Sequence, residues 1–359
     1  MRGVVFTGDR TLEVMNFEDP TPGPGEVVLR MKASGMCGSD LHFYRAPDPN
    51  ALVAQMGMMS FEERGMDPKT PVIAGHEPCG IIEAIGPSVN PDQFKVGDRV
   101  IVFHYEGCGV CDECRTGWTQ ACGHGMAPHG TVKNGGHADF QKVPADRLVL
   151  MPEEVSFETG AAIACGTGTA FGALVRMNVS ARDTIAIFGL GPVGLSAVQL
   201  AAAMGCEVFA VDIDPARVEQ AKAFGAAHVI NGKTHDPVEE IKKLTRGKGV
   251  NCAMECAGGN LPKQQAVRCT ATWGRIALVA VGGQLDGLVS WNDMIAKQRT
   301  LIGSWTFSIT GMKDCTYFIA DHGINVDAIF SDRWNISDAD KAYKLFDKQA
   351  GGKGVFVFD

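Results

Sequence analysis

The chain contains 359 residues, more than one hydrophobic core usually organises, so we expect two domains. Hydrophobic residues make up 45% and charged residues 21% of it, a balance typical of globular proteins, and the net charge of −8 argues against a nucleic-acid partner. The N-terminal stretch lacks the apolar core of a secretory signal, and no apolar run reaches the roughly 20 residues of a membrane span. We therefore expect a cytoplasmic protein with no membrane partner, whose twelve cysteines bind metal or pack as thiols.

The first 150 residues are rich in glycine and proline and contain short apolar or alternating segments. In chain order these segments are GEVVLRMKAS, CGIIEAIG, DRVIVFHY and ADRLVLMP. Such segments, bounded by turn-forming residues, predict short strands. The pattern indicates a β-rich region, for which a distorted barrel is one candidate architecture.

From about residue 155 the pattern changes to alternating strands and helices. Apolar runs at 185–188 and 208–211 are each followed by a stretch with helical spacing, and the alternation continues through NCAMECAG, RIALVAVGG and TLIGSW. Alternation of this kind predicts a parallel sheet with crossover helices. The tail from about residue 306 returns to short mixed elements and ends in the strand-like run VFVF.

Four cysteines lie close together in GCGVCDECRTGWTQAC. Cys108, Cys111 and Cys114 are spaced three apart, and Cys122 follows eight residues later. Short Cys-x-x-Cys steps let one turn direct two thiolates at a single ion, and four thiolates complete the tetrahedral shell that zinc prefers. Because a closed shell leaves no position for substrate, the pattern predicts a structural zinc. An iron–sulfur cluster and four unligated cysteines are the alternatives.

Seven further residues with metal-binding or proton-transfer chemistry are dispersed along the chain. They are Cys37, Ser39, Asp40 and His42 in CGSDLH, His76 and Glu77 in GHE, and Cys165 in IACGTGT. A single cysteine beside a glycine is more often buried by packing than bound to metal. Brought together, however, Cys37, His76 and Cys165 would form the open three-ligand shell of a catalytic zinc, with water or substrate as the fourth ligand.

A glycine-rich turn follows the apolar run IAIF and opens a helical stretch. Its residues are Gly189, Gly191, Pro192, Val193 and Gly194, and Asp212 stands eighteen residues further on, directly after VFAV. The glycines permit close approach of a pyrophosphate to the helix N-terminus, and the carboxylate can bind both ribose hydroxyls. Since this charge would repel a 2′-phosphate, the motif favours NAD over NADP. A glycine turn in a fold without a nucleotide is the alternative.

Together these motifs resemble the zinc-containing medium-chain dehydrogenase/reductase family. The resemblance covers nearly the whole chain and includes CGSDLH, AGHEPCGIIEAIG, VGDRV, the four-cysteine segment, GGHADF and GLGPVG, in the family's order. It implies an α/β protein with a GroES-like β-rich catalytic domain, residues 1–165 and 306–359, that holds two zinc sites. Residues 166–305 would form a Rossmann domain, a doubly wound parallel sheet that binds NAD.

The family's residue roles carry over by position. Cys37, His76 and Cys165 match the ligands of the catalytic zinc, Glu77 the acid beside it, and Asp40 the carboxylate that orients the histidine ligand. Ser39 and His42 match the proton relay, Thr169 a residue near the nicotinamide ring, and the stretch 279–283, with Val279 and Val281, the side of its carboxamide.

The resemblance implies a zinc-dependent, NAD-linked dehydrogenase that oxidises a secondary alcohol or polyol, or reduces the corresponding carbonyl compound. Zinc would stabilise the substrate alkoxide, Ser39 and His42 would carry the proton to solvent, and hydride would pass to NAD. A dehydrogenase of a hydroxyl-bearing amino acid or sugar is the alternative, and a non-catalytic zinc and NAD scaffold is a third reading. The family forms homo-oligomers, which here implies a tetramer rather than a dimer.

The chain departs from each branch of the family in some respect. Gly38 stands where liver-type enzymes carry a basic residue, which favours the bacterial and polyol branches. Yet polyol and threonine dehydrogenases usually have an acidic third ligand where this chain has Cys165.

For each of three more features, the sequence allows two interpretations. The methionine-rich segment 46–70, whose middle could form a short helix, is either a lid over the substrate or a surface excursion or subunit contact. We expect Trp305 and Phe307 to be core residues rather than pocket residues, and Lys353 to be solvated rather than bound to cofactor phosphates.

Overall fold

The structure, a computed structural model, describes residues 1–55, 70–348 and 352–359. Their Cα positions divide the chain into two compact units. Unit 1 contains Met1–Cys165 and Ser308–Asp359, and unit 2 contains Gly166–Phe307. The part of the methionine-rich segment that spans residues 56–69 lies outside the described residues, so the lid hypothesis remains a prediction.

The described residues form strands and α-helices that we number in chain order. The strands are β1 (Arg2–Gly8), β2 (Thr11–Asn16), β3 (Glu26–Gly35), β4 (Glu77–Ile85), β5 (Arg99–Val102), β6 (Tyr105–Glu106), β7 (Ala127–Pro128), β8 (Phe140–Pro144), β9 (Leu148–Leu150), β10 (Thr184–Phe188), β11 (Glu207–Asp212), β12 (His228–Asn231), β13 (Val250–Glu255), β14 (Thr270–Leu278), β15 (Thr300–Gly303), β16 (Phe330–Trp334) and β17 (Lys353–Val357). The helices are α1 (Asp40–Arg45), α2 (Pro49–Gln55), α3 (Asp112–Arg115), α4 (Phe157–Ala162), α5 (Gly168–Arg176), α6 (Pro192–Ala203), α7 (Pro215–Ala223), α8 (Pro237–Leu244), α9 (Asn260–Arg268), α10 (Ile309–His322) and α11 (Ala339–Asp347).

Unit 1 is built around a mixed seven-stranded sheet in the order β16-β17-β3-β4-β5-β9, with β8 also paired to β3. The central strand β3 runs antiparallel to β4, β8 and β17. Its residues Val27, Leu29 and Met31 follow the period of two that a strand imposes, and they join Ile82 and Val100 in a buried apolar core.

A second apolar cluster in unit 1 joins the two ends of the chain. Tyr343 of α11 and Phe356 of β17 pack with Met36, Leu41 and Tyr44, which lie after β3 and in α1. The C-terminal helix and strand are thereby held next to the segment that contains the CGSDLH motif.

Unit 2 is a six-stranded sheet in the order β12-β11-β10-β13-β14-β15, and every pairing in it is parallel. Counted within the unit, this is the strand order 3-2-1-4-5-6 of dinucleotide-binding folds. The order reverses between β10 and β13, and the glycine-rich turn follows β10 at this point. Ligands of open α/β sheets bind at such a switch point, outside the carboxyl ends of the strands.

The predicted fold class, a β-rich region combined with a doubly wound parallel sheet, is confirmed. The run IAIF forms β10, VFAV lies in β11 and VFVF lies in β17. Phe307 is a core residue as predicted, whereas Trp305 is 48% exposed and is not. Among the described residues, no helix has the length and apolarity that crossing a membrane requires.

Candidate active site

The dispersed residues Cys37, His76, Glu77 and Cys165 come together in unit 1. Cys37 follows β3, His76 and Glu77 stand at the start of β4, and Cys165 lies in a π-helical turn, Ile163–Thr167, that continues α4. One ligand atom from each of the four residues lies within 4.8 Å of the others. Three segments that are far apart in sequence therefore meet at one point.

The spacing of the two thiols fits a tetrahedral zinc ion. The Sγ atoms of Cys37 and Cys165 are 3.8 Å apart. Two sulfurs that each bind one tetrahedral ion at about 2.3 Å stand about 3.8 Å apart, whereas disulfide sulfurs are about 2.05 Å apart. The thiol of Cys165, which hydrogen-bonds to Cys37, lowers the pKa of Cys37 well below its usual value. The donor set of thiolates and an imidazole is one that zinc prefers.

The carboxylate of Asp40 fixes the orientation of the His76 ring. Asp40 Oδ1 lies 2.8 Å from His76 Nδ1, and Asp40 Oδ2 accepts the backbone N–H of Cys37 at 2.8 Å. Although burial opposes a charged imidazole, Asp40 raises the pKa of His76 well above its ordinary value. One carboxylate thus positions two of the predicted ligands and leaves Nε2 of the imidazole for the ion.

Glu77 forms an ion pair with Lys353, and this corrects the expectation of a solvated lysine. Lys353 is 2% exposed, and its Nζ lies 2.7 Å from Glu77 Oε1 and 3.1 Å from the carbonyl oxygen of Met36. Against the effect of burial, the Glu77 carboxylate raises the pKa of Lys353. A lysine can be buried here because β17 places it beside a buried carboxylate, a relation that no local pattern reveals.

The predicted proton-relay residues are both exposed, and Ser39 lies beside this cluster. Ser39 is exposed, and its Oγ lies 3.1 Å from His76 Nε2. His42 is exposed one turn later in α1, and its backbone N–H donates to the carbonyl oxygen of Ser39. Both side chains can therefore exchange protons with solvent.

The four cysteines of the 108–122 segment form a second cluster in unit 1. Their Sγ atoms all lie within 4.8 Å of one another. The separation is 4.0 Å between Cys108 and Cys114 and 3.9 Å between Cys111 and Cys122, close to the tetrahedral value. Backbone N–H groups of Val110 and Cys111 lower the pKa of Cys108 to about 6. The geometry fits an ion held by four sulfurs.

The glycine-rich turn in unit 2 has the backbone geometry that its sequence predicts. Gly189 has φ +88°, and a Cβ there would stand 2.7 Å from the backbone nitrogen of Ala257. A Cβ on Gly194 would overlap the carbonyl oxygen of Gly189. Gly191 is the N-cap of α6 and Pro192 its first residue, which Val193 and Gly194 follow. The N-terminus of α6 is thus presented to ligands at the switch point.

The carboxylate of Asp212 ends β11 and supports the glycine turn. Its Oδ2 accepts the backbone N–H of Leu190 at 2.5 Å, and its Oδ1 accepts that of Asp214 at 2.9 Å. Each oxygen retains a further lone pair for a ribose hydroxyl. Sequence reasoning did not anticipate that Asp212 would also hold the turn.

The other predicted cofactor residues are placed in unit 2. Thr169 is buried in α5, Val279 directly follows β14, and Val281 is 85% exposed. Their roles toward the nicotinamide remain predictions.

Sequence reasoning missed the contacts of three residues behind the metal ligands, namely Tyr343, His137 and the deeply buried Lys353. All of them lie within hydrogen-bond reach of Asp40 or Glu77, directly or through one side chain. His137 lies in the quoted motif GGHADF, but no spacing signals these hydrogen bonds, because the residues that make them are 206 to 303 positions apart in sequence.

Two family models match the chain. They are the alcohol dehydrogenase GroES-like domain, over residues 23–153, and the zinc-binding dehydrogenase, over residues 192–321. The uncharacterized zinc-type alcohol dehydrogenase-like protein YphC of Escherichia coli is 35% identical over 100% of this chain and 99% of its own length. Sorbitol dehydrogenase of Bacillus subtilis is 31% identical over 95% of this chain and 92% of its own.

A solved structure with the same fold is that of 2R,3R-butanediol dehydrogenase from Bacillus subtilis. It matches with a TM-score of 0.85 and 25% identity, over 100% of this chain and 99% of that one. The chain therefore belongs to the zinc-type alcohol dehydrogenase family, and it is an oxidoreductase.

Proposed function

We propose that this protein is an NAD(H)-dependent dehydrogenase of secondary alcohols or polyols with two zinc ions per chain. The observation that carries the proposal is the gathering of ligand atoms from Cys37, His76, Glu77 and Cys165 within 4.8 Å. The names of two relatives, a sorbitol dehydrogenase and a butanediol dehydrogenase, support the polyol class.

The catalytic zinc is assigned to Cys37, His76 and Cys165. When bound, zinc polarises the substrate oxygen as a Lewis acid, and NAD accepts the hydride. Two thiolates balance the charge of a dication, so a further permanent carboxylate ligand is not needed for neutrality. The ion pair with Lys353 compensates the charge of Glu77 instead, so Glu77 would not be required as a permanent ligand.

The proton of the substrate hydroxyl is assigned to Ser39 as first acceptor. Ser39 Oγ is 3.1 Å from His76 Nε2, so it lies beside the metal ligands and also faces solvent. His42, exposed in the short helix α1 that follows Ser39, then delivers the proton to water.

The NAD site is assigned to unit 2. Its glycine turn brings the N-terminus of α6 to the pyrophosphate, Asp212 binds the adenosine ribose, and Thr169, Val279 and Val281 contact the nicotinamide. In this assignment residues 1–165 and 306–359 are the catalytic domain and residues 166–305 the cofactor domain. A homotetramer is proposed on the family resemblance alone.

The decisive experiment measures NADH formation by the zinc-loaded protein with a panel of secondary alcohols, polyols, sugars and hydroxyl-bearing amino acids. We expect turnover with the first two groups and a strong preference for NAD over NADP, because the Asp212 carboxylate repels a 2′-phosphate. Turnover only with sugars or amino acids would show that the proposed substrate class is wrong and that the alternative class is correct. Complete inactivity of a protein that binds both zinc and NAD would favour a non-catalytic scaffold.

A further inference from the structure

A chain of buried hydrogen bonds extends from Asp40 away from the metal ligands. The hydroxyl of Tyr343 donates to Asp40 Oδ2 at 3.2 Å. The hydroxyl oxygen of Tyr343 also lies 2.8 Å from His137 Nε2, and His137 Nδ1 lies 2.7 Å from Ser34 Oγ. Asp40 is 1% exposed and the other three side chains are fully buried. No role is assigned to Ser34, His137 or Tyr343 in the proposed reaction.

With a neutral His137, the protons of this chain can be arranged in only one direction. A carboxylate accepts only, so Tyr343 must use its single proton for Asp40, and its oxygen must accept from His137 Nε2–H. His137 Nδ1 then has a lone pair and accepts the hydroxyl proton of Ser34. Burial lowers the pKa of His137 to about 4, which agrees with this neutral imidazole. Every donor and acceptor is satisfied along the series from Ser34 to His137, Tyr343 and Asp40.

The surrounding backbone is shaped to hold the imidazole. Gly75, which directly precedes His76, has φ +91°, and a Cβ at this position would overlap the ring of His137. On another side, the ring of Phe356 meets that of His137 edge-on at a centroid distance of 4.7 Å. The backbone N–H of His137 donates to the carbonyl of Ala74 at 2.9 Å. His137 therefore has one position, directly behind the segment that presents His76.

We propose that Tyr343 and His137 are positioning residues for the metal ligand His76, acting through Asp40. The inference rests on the proposed function, because it requires a zinc ion on His76. Asp40 Oδ1 orients the imidazole, while Oδ2 is fixed by Cys37 N–H and the Tyr343 hydroxyl. Without the hydroxyl, the carboxylate is held by one donor fewer. The imidazole it orients is then less tightly placed for the ion.

The test compares the zinc affinity of the catalytic site in the full chain. The variants are Tyr343→Phe, His137→Phe and Asp40→Asn, with Tyr44→Phe as matched control. Tyr44 lies in the same apolar cluster, with its ring 5.4 Å from that of Tyr343, but its hydroxyl is not a member of the chain of hydrogen bonds. Affinity is measured by competition with a chromogenic zinc chelator, and the ion on the four-cysteine cluster serves as internal reference.

We expect Asp40→Asn to weaken zinc binding at the catalytic site by roughly 10- to 100-fold, the usual effect of removing a carboxylate behind a histidine ligand. Tyr343→Phe should weaken it by about tenfold and His137→Phe by about threefold, since each acts one hydrogen bond further away. The double variant Tyr343→Phe/His137→Phe should lose less zinc affinity than the product of the two single losses, because both residues belong to one chain of hydrogen bonds. In these variants, zinc release from the four-cysteine cluster should change no more than in Tyr44→Phe. The same should hold for the thermal midpoint.

Two results would overturn the inference, and they are distinguishable. If Asp40→Asn weakens zinc binding while Tyr343→Phe and His137→Phe behave like Tyr44→Phe, the two residues only pack and the positioning role is wrong. If Asp40→Asn also leaves zinc binding unchanged, the proposed catalytic zinc site is wrong, and this inference is wrong with it.

Discussion

The other members of the catalytic cluster follow β3 or stand at the start of β4, whereas Cys165 follows the helix α4. Its thiol is 3.8 Å from that of Cys37 and lies in a π-helical turn. We expect Cys165→Ala to abolish NADH formation and to remove one of two bound zinc ions, while circular dichroism and the thermal midpoint stay close to those of the parent protein. The reason is that the side chain contributes a ligand and little packing.

The matched control is Cys315→Ala, which removes a fully buried thiol of α10 in the same unit, outside both metal clusters. Here turnover should persist and stability should fall by about 1 kcal/mol. Equal losses of activity in the two variants would refute the assigned ligand.

Lys353 balances the charge of the buried carboxylate Glu77. We expect Lys353→Met to lower the free energy of unfolding by about 3–5 kcal/mol, because it leaves a carboxylate without its partner in the interior. The double variant with Glu77→Gln should recover part of this loss, and urea unfolding of the zinc-loaded protein measures both. Lys341→Met, at an exposed lysine of α11, should cost almost nothing. A loss in Lys353→Met no larger than in this control would mean that the pair contributes no stability.

The carboxylate of Glu106 predicts a pH dependence of stability. Its oxygens contact His129 Nε2 at 2.6 Å and Lys133 Nζ, and although burial opposes it, these partners lower the pKa of Glu106 to about 2. A carboxylate whose pKa is lower in the folded state contributes stability above its unfolded pKa of about 4.5 and loses it as the pH falls toward 2. Above about pH 5, we expect the free energy of unfolding of the parent protein to exceed that of Glu106→Gln by about 2 kcal/mol. The difference, followed by denaturant unfolding, should shrink between about pH 4.5 and pH 2, and a constant difference would contradict this pKa.

At the scale of elements, the four-cysteine lobe, residues 108–122, has little core of its own. It contains the four-residue helix α3 and a 3₁₀ turn, Thr119–Ala121, and its apolar residue Val110 is 73% exposed. We expect Cys111→Ser to lower the thermal midpoint and to impair assembly of the oligomer, while the folded fraction keeps its turnover. The reason is that a bound ion, rather than an apolar core, would stabilise this lobe. Arg115→Gln, an exposed change in the same lobe, is the control. Lost activity at unchanged stability would show that the lobe is not structural.

The glycine turn after β10 depends on one backbone conformation and one close approach. We expect Gly189→Ala to weaken NADH binding by at least about tenfold in a fluorescence titration, because the new Cβ would press on Ala257 in the loop after β13. Gly247→Ala is a matched control in the same unit, since Gly247 also has a positive φ, +82°, but no atom within 4 Å of the new Cβ. It should cost only the strain of a left-handed alanine, about 1 kcal/mol, and leave NADH binding intact. Similar NADH affinities in both variants would contradict a cofactor site at this turn.

At the scale of the whole molecule, the elements that were predicted well are those with strong local periodicity. The strands β10 and β11, the glycine turn and the terminal strand β17 follow from apolar runs and turn residues. In the segment 46–70, where a short helix was expected in the middle, the described residues contain the helix α2, Pro49–Gln55. The burial of Lys353 was predicted wrongly, because a lone lysine in a glycine-rich tail is exposed in most proteins.

The sequence by itself determined the architecture and the chemical kinds of ligand, because periodicity, turn residues and cysteine spacing act over a few neighbouring positions. Those local rules predicted the four-cysteine cluster and the parallel sheet, whereas the family resemblance implied the three dispersed metal ligands as a set. Only the tertiary structure decided what stands behind those ligands. Asp40 meets Tyr343, and Glu77 meets Lys353, across separations of 303 and 276 residues, because α11 and β17 pack against the N-terminal part of unit 1. Contacts at such distances in sequence depend on packing, and packing is a property of the folded chain as a whole.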